Sequence, residues 1–351
     1  MIPYWFDAHL DLAYLAECGR DMHADLDDCR GTLLPAAVTL ASLADGRVRA
    51  CLGTIFTEGI PGDAAPDRSG TYAYPIGDAE AAHTAGLRQL KLYQAWAEAG
   101  LVELIPRRTR TTPGTGRTDH AGPASTQRTP LALGILMECA DPIRSPDELG
   151  FWVDSGVVAI GLAWWHQSRY AGGNGTDAGL SDAGRALVRQ MDELGVVHDA
   201  SHLSDRALRD LFEATDRVVM ATHSNCRALL EADNQRHLTD DAIAEIGRRG
   251  GIVGLNLVRN FIRAGLGRDE RPGVDEAVAH VEHVCQIMGH RTGVGLGSDM
   301  DGGITANDLP EGIDRPAHLP RLGDALRDRG WSDADVHAFA WGNWARFWGM
   351  D

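Results

Sequence analysis

The stretch Val196-Val197-His198-Asp199-Ala200-Ser201-His202-Leu203-Ser204 reads as the joint of a repeating unit. A β-branched run opens directly after Gly195 and ends in polar residues at Ser201 and His202, which is a short buried strand with a polar tip. Ser204 is a good N-cap for a helix over 204–214. Upstream, Ser181 opens a helix that Gly195 closes, over 181–194. Strands and helices joined this closely imply a parallel sheet with helices outside it.

Outward from this joint the pattern repeats. Strands are predicted over 4–12, 48–57, 131–139, 157–164, 196–201, 217–222, 252–258 and 292–297. Helices are predicted over 77–100, 145–155, 181–194, 204–214, 239–249, 274–288, 318–329 and 332–348. Eight strand–helix units favour a closed (β/α)₈ barrel of the TIM type, one domain over 1–351 with C-terminal helices at 318–348. No Gly-x-Gly-x-x-Gly follows the first strand, which counts against a dinucleotide fold. Residues 15–28 and 59–70 read as loop or short helix. Segment 106–130, with five arginines among Thr, Gly and Pro, reads as a flexible surface loop.

Hydrophobic residues make up 44% and charged residues 24% of the 351 positions, which are globular values. A net charge of -17 argues against nucleic-acid and anionic-membrane surfaces. None of the six cysteines forms a C-x-x-C pair, so they read as reduced thiols in a cytoplasmic protein. The N-terminus lacks a signal-peptide pattern, and no apolar run is long enough for a membrane span.

In a barrel of this kind the chemistry gathers at the C-terminal strand ends. Those ends carry His9 and Asp11, then Glu138, His166, His202, His223, and Asp299 with Asp301. Each alone is equally a solvated strand end, but a set at equivalent positions points to a metal site, since imidazole and carboxylate bind zinc-like ions. In the first strand, alternation puts Asp7, His9 and Asp11 on one face and Phe6, Ala8, Leu10 and Leu12 on the other. His9, Asp11, His202 and His223 are one-sided ligands, and Glu138, with two oxygens, is the natural bridge between two ions sharing a water of lowered pKa. Asp299 is placed to orient that hydroxide and carry its proton to a leaving amine. His166 is placed to donate to an oxyanion, and Arg236 to grip a substrate carboxylate.

The ordered set His9-x-Asp11, Glu138, Trp165-His166, Asp199-x-Ser201-His202, Thr222-His223-Ser224, Arg236 and Gly297-Ser298-Asp299-Met300-Asp301-Gly302 resembles the renal (membrane) dipeptidase family, peptidase family M19 of the amidohydrolase superfamily. The resemblance runs from His9 to about Gly302, and Gly342-Asn343-Trp344-Ala345-Arg346-Phe347 is similar to the family's closing helix. It implies a (β/α)₈ metallopeptidase with two zinc ions that hydrolyses dipeptides and tolerates a D-residue at the C-terminal position. By position it makes His9, Asp11, Glu138, His202 and His223 the metal ligands, and His166, Arg236 and Asp299 the substrate contacts. The family usually has Gly where Cys139 stands, Asn where His237 stands and Asn where Leu10 stands, so pocket shape and substrate choice stay open. The mammalian members are secreted, disulfide-linked and lipid-anchored, whereas this chain looks like a soluble bacterial relative. A homodimer is the assembly expected.

Other polar residues are assigned lesser parts. His198 reads as a packed core histidine, and Asp7, Asp199 and Asp301 as support for ligands. His280, His283 and His290 do not form a helical zinc motif, and Trp164 and Trp165 are candidates to wall the pocket. A second reading keeps barrel and metals but takes N-acyl amino acids, lactones or other small amides as substrate. A non-catalytic metal-binding protein is disfavoured, because it has no use for a proton carrier such as Asp299.

Overall fold

The computed structural model describes residues 2, 4–61, 72–106, 129–230 and 234–350, so nearly all of the segment expected as a loop at 106–130 lies outside the described residues. Eight parallel strands form the barrel: β1 (Trp5–Leu10), β2 (Val48–Ile55), β3 (Leu131–Met137), β4 (Val157–Gly161), β5 (Val197–Asp199), β6 (Val219–Met220), β7 (Val253–Leu255) and β8 (Val294–Leu296). Their order is β7-β8-β1-β2-β3-β4-β5-β6. A bridge between Ala221 and Val253 joins β6 to β7, with Gly254 N donating to Ala221 O at 2.8 Å. The fold is a single-domain (β/α)₈ barrel.

The helices start and stop where the caps place them. Ser181, Ser204 and Thr239 accept from backbone N–H groups three residues on, and Gly195 ends its helix at a φ of 72°. The first strand is shorter than expected, because a helix over Leu12–Glu17 begins directly after Asp11. Two short strands pair, Glu58–Ile60 at the start of the expected 59–70 loop and Ala73–Pro75 just beyond it, and Val102–Leu104 pairs with the start of β3. Such three-residue strands carry too little periodicity to be read from sequence.

One expectation is corrected in β1. Phe6 and Ala8 lie in one apolar cluster with Ala50, Leu52, Leu136 and Val158, while Leu10 and Leu12 lie in another with Cys51, Ile55, Leu133 and Leu296. The alternation therefore does not run through the strand. Against β2 the register moves from Asp7↔Cys51 to Leu10↔Gly53, three residues against two. The extra residue of this bulge changes which side the following side chains face.

The first cluster draws on β1 to β6 at once, so it is the barrel interior. Trp344, Phe347 and Trp348, from the helix Asn343–Trp348, complete it. Asn343 Nδ2 donates to Arg291 O and Val294 O, both at 2.8 Å, and Trp344 Nε1 donates to Leu296 O at 3.0 Å. These contacts reach the start of β8 and plug the end opposite the chemistry. A Cβ on Gly295 would land on the Trp344 indole. Gly295→Ala is expected to cost about 1–3 kcal/mol by overpacking. Thermal melting checks this as a drop of several degrees in Tm.

Candidate metal centre

At the other end, the polar tips of the strands meet. Glu138 follows β3 directly, and its Oε2 lies 3.5 Å from His9 Nε2, while its Oε1 lies 3.3 Å from His202 Nε2 and 3.7 Å from His223 Nε2. His9 Nε2 is also 3.8 Å from Asp11 Oδ1 and 4.0 Å from Asp299 Oδ1. The His9 and His223 rings stack at 3.5 Å. Ligand atoms of His9, Glu138 and His223, and of His9, Asp11 and Asp299, each fall within 4.8 Å of one another. All of these side chains are buried.

Neighbouring groups fix the imidazole tautomers. Asn174 Oδ1 lies 3.0 Å from His202 Nδ1, so that nitrogen carries the proton and Nε2 presents a lone pair. Thr222 Oγ1 donates to Asp199 Oδ2 at 2.6 Å and so accepts from His223 Nδ1 at 2.8 Å. Both Nε2 atoms are thereby aimed, lone pair first, at one point 2.8 Å apart. Thr54 Oγ1 donates to Asp11, and Asn256 Nδ2 to Asp299 Oδ2 at 2.9 Å. His202 and Asp299 hold left-handed backbone conformations at φ 67° and 58°, which non-glycine residues rarely adopt and which cluster where a site must be aimed.

The fit to a cation rests on what is left over. His9 Nε2 and Glu138 Oε2 are buried without a hydrogen-bond partner. Each such atom costs about 1–3 kcal/mol unless something binds it. Imidazole and carboxylate orphans facing one another are the donor set that a zinc-like ion takes. Burial also misplaces the protons: Glu138 is pushed up to about 8, and Asp11 and Asp299 are raised by desolvation, with a neighbouring carboxylate adding to each. His202 and His223 are pushed well down by burial.

These shifts set a pH dependence for the metal-free protein. Between pH 6.5 and 8 the unfolded chain has lost its carboxyl protons while the fold keeps that of Glu138, so stability falls as pH rises. Below 6.5 the histidines act the other way, since the unfolded chain binds protons that buried His202 and His223 refuse. The Tm of chelator-treated protein is expected to fall from pH 6.5 to 8.5, and saturating metal to remove that fall. A flat profile without metal would contradict it.

Arg236 is buried. It donates to Ser224 Oγ at 3.1 Å and to His223 O at 2.8 Å, lies over the Phe261 ring at 5.0 Å, and keeps its Nε unpartnered. His166 is exposed, on the rim beside Trp164, whose indole packs on His202 at 5.9 Å. Asp7 accepts from Ser298 N at 2.8 Å and from His9 N at 3.3 Å, and so ties β1 to β8. His198 is set apart, bonded to Asp192 Oδ1 at 2.8 Å. Asp301 supports the site differently from Asp7 and Asp199: it pairs with Arg20 and accepts from Ala37 N and Val38 N, anchoring the 20–38 loop.

The model of one protein family, described as membrane dipeptidase (peptidase family M19), matches residues 4–350. The chain belongs to peptidase family M19. As an M19 member it is a peptide-bond hydrolase with a metal cofactor. It is similar over its whole length to the metallopeptidase dipeptidase AC of family M19, at 25% identity and a TM-score of 0.80, covering 99% of this chain and 100% of that one. A metallopeptidase from Rhodobacter sphaeroides, solved with a phosphinate mimic of the dipeptide L-Ala-D-Ala, aligns at 25% identity and a TM-score of 0.79 over 100% of this chain and 99% of that one. A Klebsiella pneumoniae protein named for its place in the pqqA 5′ region is 36% identical over 55% of this chain and 71% of its own length. An uncharacterised dipeptidase of Schizosaccharomyces pombe is 29% identical over 58% of this chain, and the match spans 49% of that protein.

Sequence reading missed several residues of this M19 site. Asn174, Thr54 and Asn256 orient His202, Asp11 and Asp299. Thr54 and Asn256 come from β2 and the end of β7, the two strand ends that showed no ligand. Position at those ends was the available signal. Asn174, in a loop, offered none.

Proposed function

We propose that the chain is a dinuclear zinc dipeptidase, with His9 and Asp11 on one ion, His202 and His223 on the other, and Glu138 bridging them. One observation carries the reading: three imidazole Nε2 atoms and both Glu138 oxygens converge, with His9 Nε2 and Glu138 Oε2 left unpartnered. When bound, such ions would lower the pKa of a nearby water toward neutrality and polarise the scissile carbonyl. Arg236 has N–H groups to spare and grips the substrate's C-terminal carboxylate. Asp299, oriented by Asn256, takes the proton of the attacking water and passes it to the leaving amine. His166, exposed at the rim, is the candidate donor to the oxyanion. Tolerance of a D-residue at the C-terminal position is supported by the L-Ala-D-Ala mimic on the Rhodobacter relative.

All six cysteines are free, which fits a reducing cytoplasm. No helix among the described residues is long and apolar enough to cross a membrane. A homodimer completes the proposal, to be checked by light scattering. Metal analysis of purified protein, with turnover of dipeptides of both C-terminal stereochemistries, tests the reading. Zinc with dipeptide turnover is expected. Metal with turnover of N-acyl amino acids alone would move the substrate class to those amides, and a protein that binds no metal would sink the proposal.

A further inference from the structure

Resting on the dipeptidase reading, the substrate's direction across the barrel mouth can be taken one step further. Arg236 reaches the mouth from the β6–β7 side, through Ser224, the His223 carbonyl and Phe261. A dipeptide held there by its carboxylate extends over Glu138 toward β2, β3 and β4, on the other side of the ring. On that side lies a small cavity of ≈ 10 Å³, lined among others by Thr57, Tyr74, Ile76, Cys139, Trp164 and His166. It borders the ligand cluster, since Cys139 follows Glu138 and the Trp164 indole packs on His202.

Its walls are fixed. Asp141 accepts from the Tyr74 hydroxyl at 2.6 Å and from Arg169 N at 2.8 Å, and that hydroxyl lies 3.9 Å from Cys139 Sγ. Tyr74 stands on the strand Ala73–Pro75, itself paired to Glu58–Ile60. One polar group in the lining is unsatisfied: Thr57 Oγ1 is fully buried and has no partner. The space suits about one water, or a side chain of one or two heavy atoms in its place.

The geometry points to this cavity as the pocket for the side chain of the substrate's N-terminal residue, with Cys139 and Tyr74 setting its depth. It admits Gly, Ala and Ser and excludes Leu and Phe. A serine hydroxyl gains a bond to Thr57 that alanine cannot make.

The test is kcat/KM for Gly-, Ala-, Ser-, Leu- and Phe-dipeptides sharing one C-terminal residue. Wild-type protein is expected to favour Ala and Ser over Leu and Phe by at least about tenfold, the scale on which pockets reject an oversized group. Cys139→Ala is expected to shrink that ratio about tenfold, and Thr57→Val to erase the advantage of Ser over Ala. Ile76 is 50% exposed at the rim, so Ile76→Ala relaxes the exclusion of Phe without burdening the fold. Melting curves establish that each variant is folded. Wild-type protein that prefers Leu or Phe, or ratios unmoved in both Cys139→Ala and Ile76→Ala, overturns the pocket. Wild-type protein inactive on every dipeptide overturns the dipeptidase reading instead.

Discussion

Glu138→Gln is expected to lose bound metal and at least about a thousandfold in kcat/KM, or about 4 kcal/mol of transition-state stabilisation. The amide keeps the shape of the carboxylate but offers one acceptor oxygen, and its NH₂ cannot take the place of Oε2 opposite His9 Nε2. In the proposed centre the two ions would then lose the ligand they share. Unfolding would give the same activity loss, so a second readout is needed. Glu138 is a buried acid pushed up to about 8, and its ionisation burdens the metal-free fold. The metal-free glutamine variant is therefore expected to melt at or above wild type at pH 8. A variant that keeps its metal and its turnover would remove Glu138 from the centre.

Asp299→Asn is expected to lower kcat by about 10²–10⁴, the usual worth of a positioned proton carrier, with KM little changed. The substitution preserves volume and leaves an oxygen for the Asn256 amide. The same variant separates two parts for Asp299, because its Oδ1 also lies within 4.0 Å of His9 Nε2. Metal retained with turnover lost makes it the proton carrier. Metal lost makes it a ligand. Metal analysis beside steady-state kinetics distinguishes them.

The barrel was legible in the sequence because its strands are short apolar runs separated by capped helices. Ser181, Ser204, Thr239 and Gly195 announce their helix ends through local hydrogen bonding, with no need of tertiary context. The convergence of the candidate ligands was legible because strand tips meet in such a barrel, so chain order becomes position around a ring. What stayed hidden depends on contacts between distant segments. The β1 bulge appears only against β2, since one strand alone cannot show a two-for-three register. Asn174 reaches His202 from a loop, and the burial of Arg236 comes from packing on Phe261. Asp301 read as direct support for a ligand, yet its carboxylate turns to Arg20 and the 37–38 backbone.

The plug of Trp344, Phe347 and Trp348 beneath the barrel bears on how the protein is made. Phe6 and Ala8 leave the ribosome before the indole that covers them and the strand that flanks β1, which are synthesised on the order of tens of seconds later. During that interval one edge of β1 has no neighbour and the barrel floor is open to water, the condition under which nascent sheets recruit each other. A chaperone that shields the growing chain until residue 348 emerges is expected to raise the yield of folded enzyme more than slower translation does.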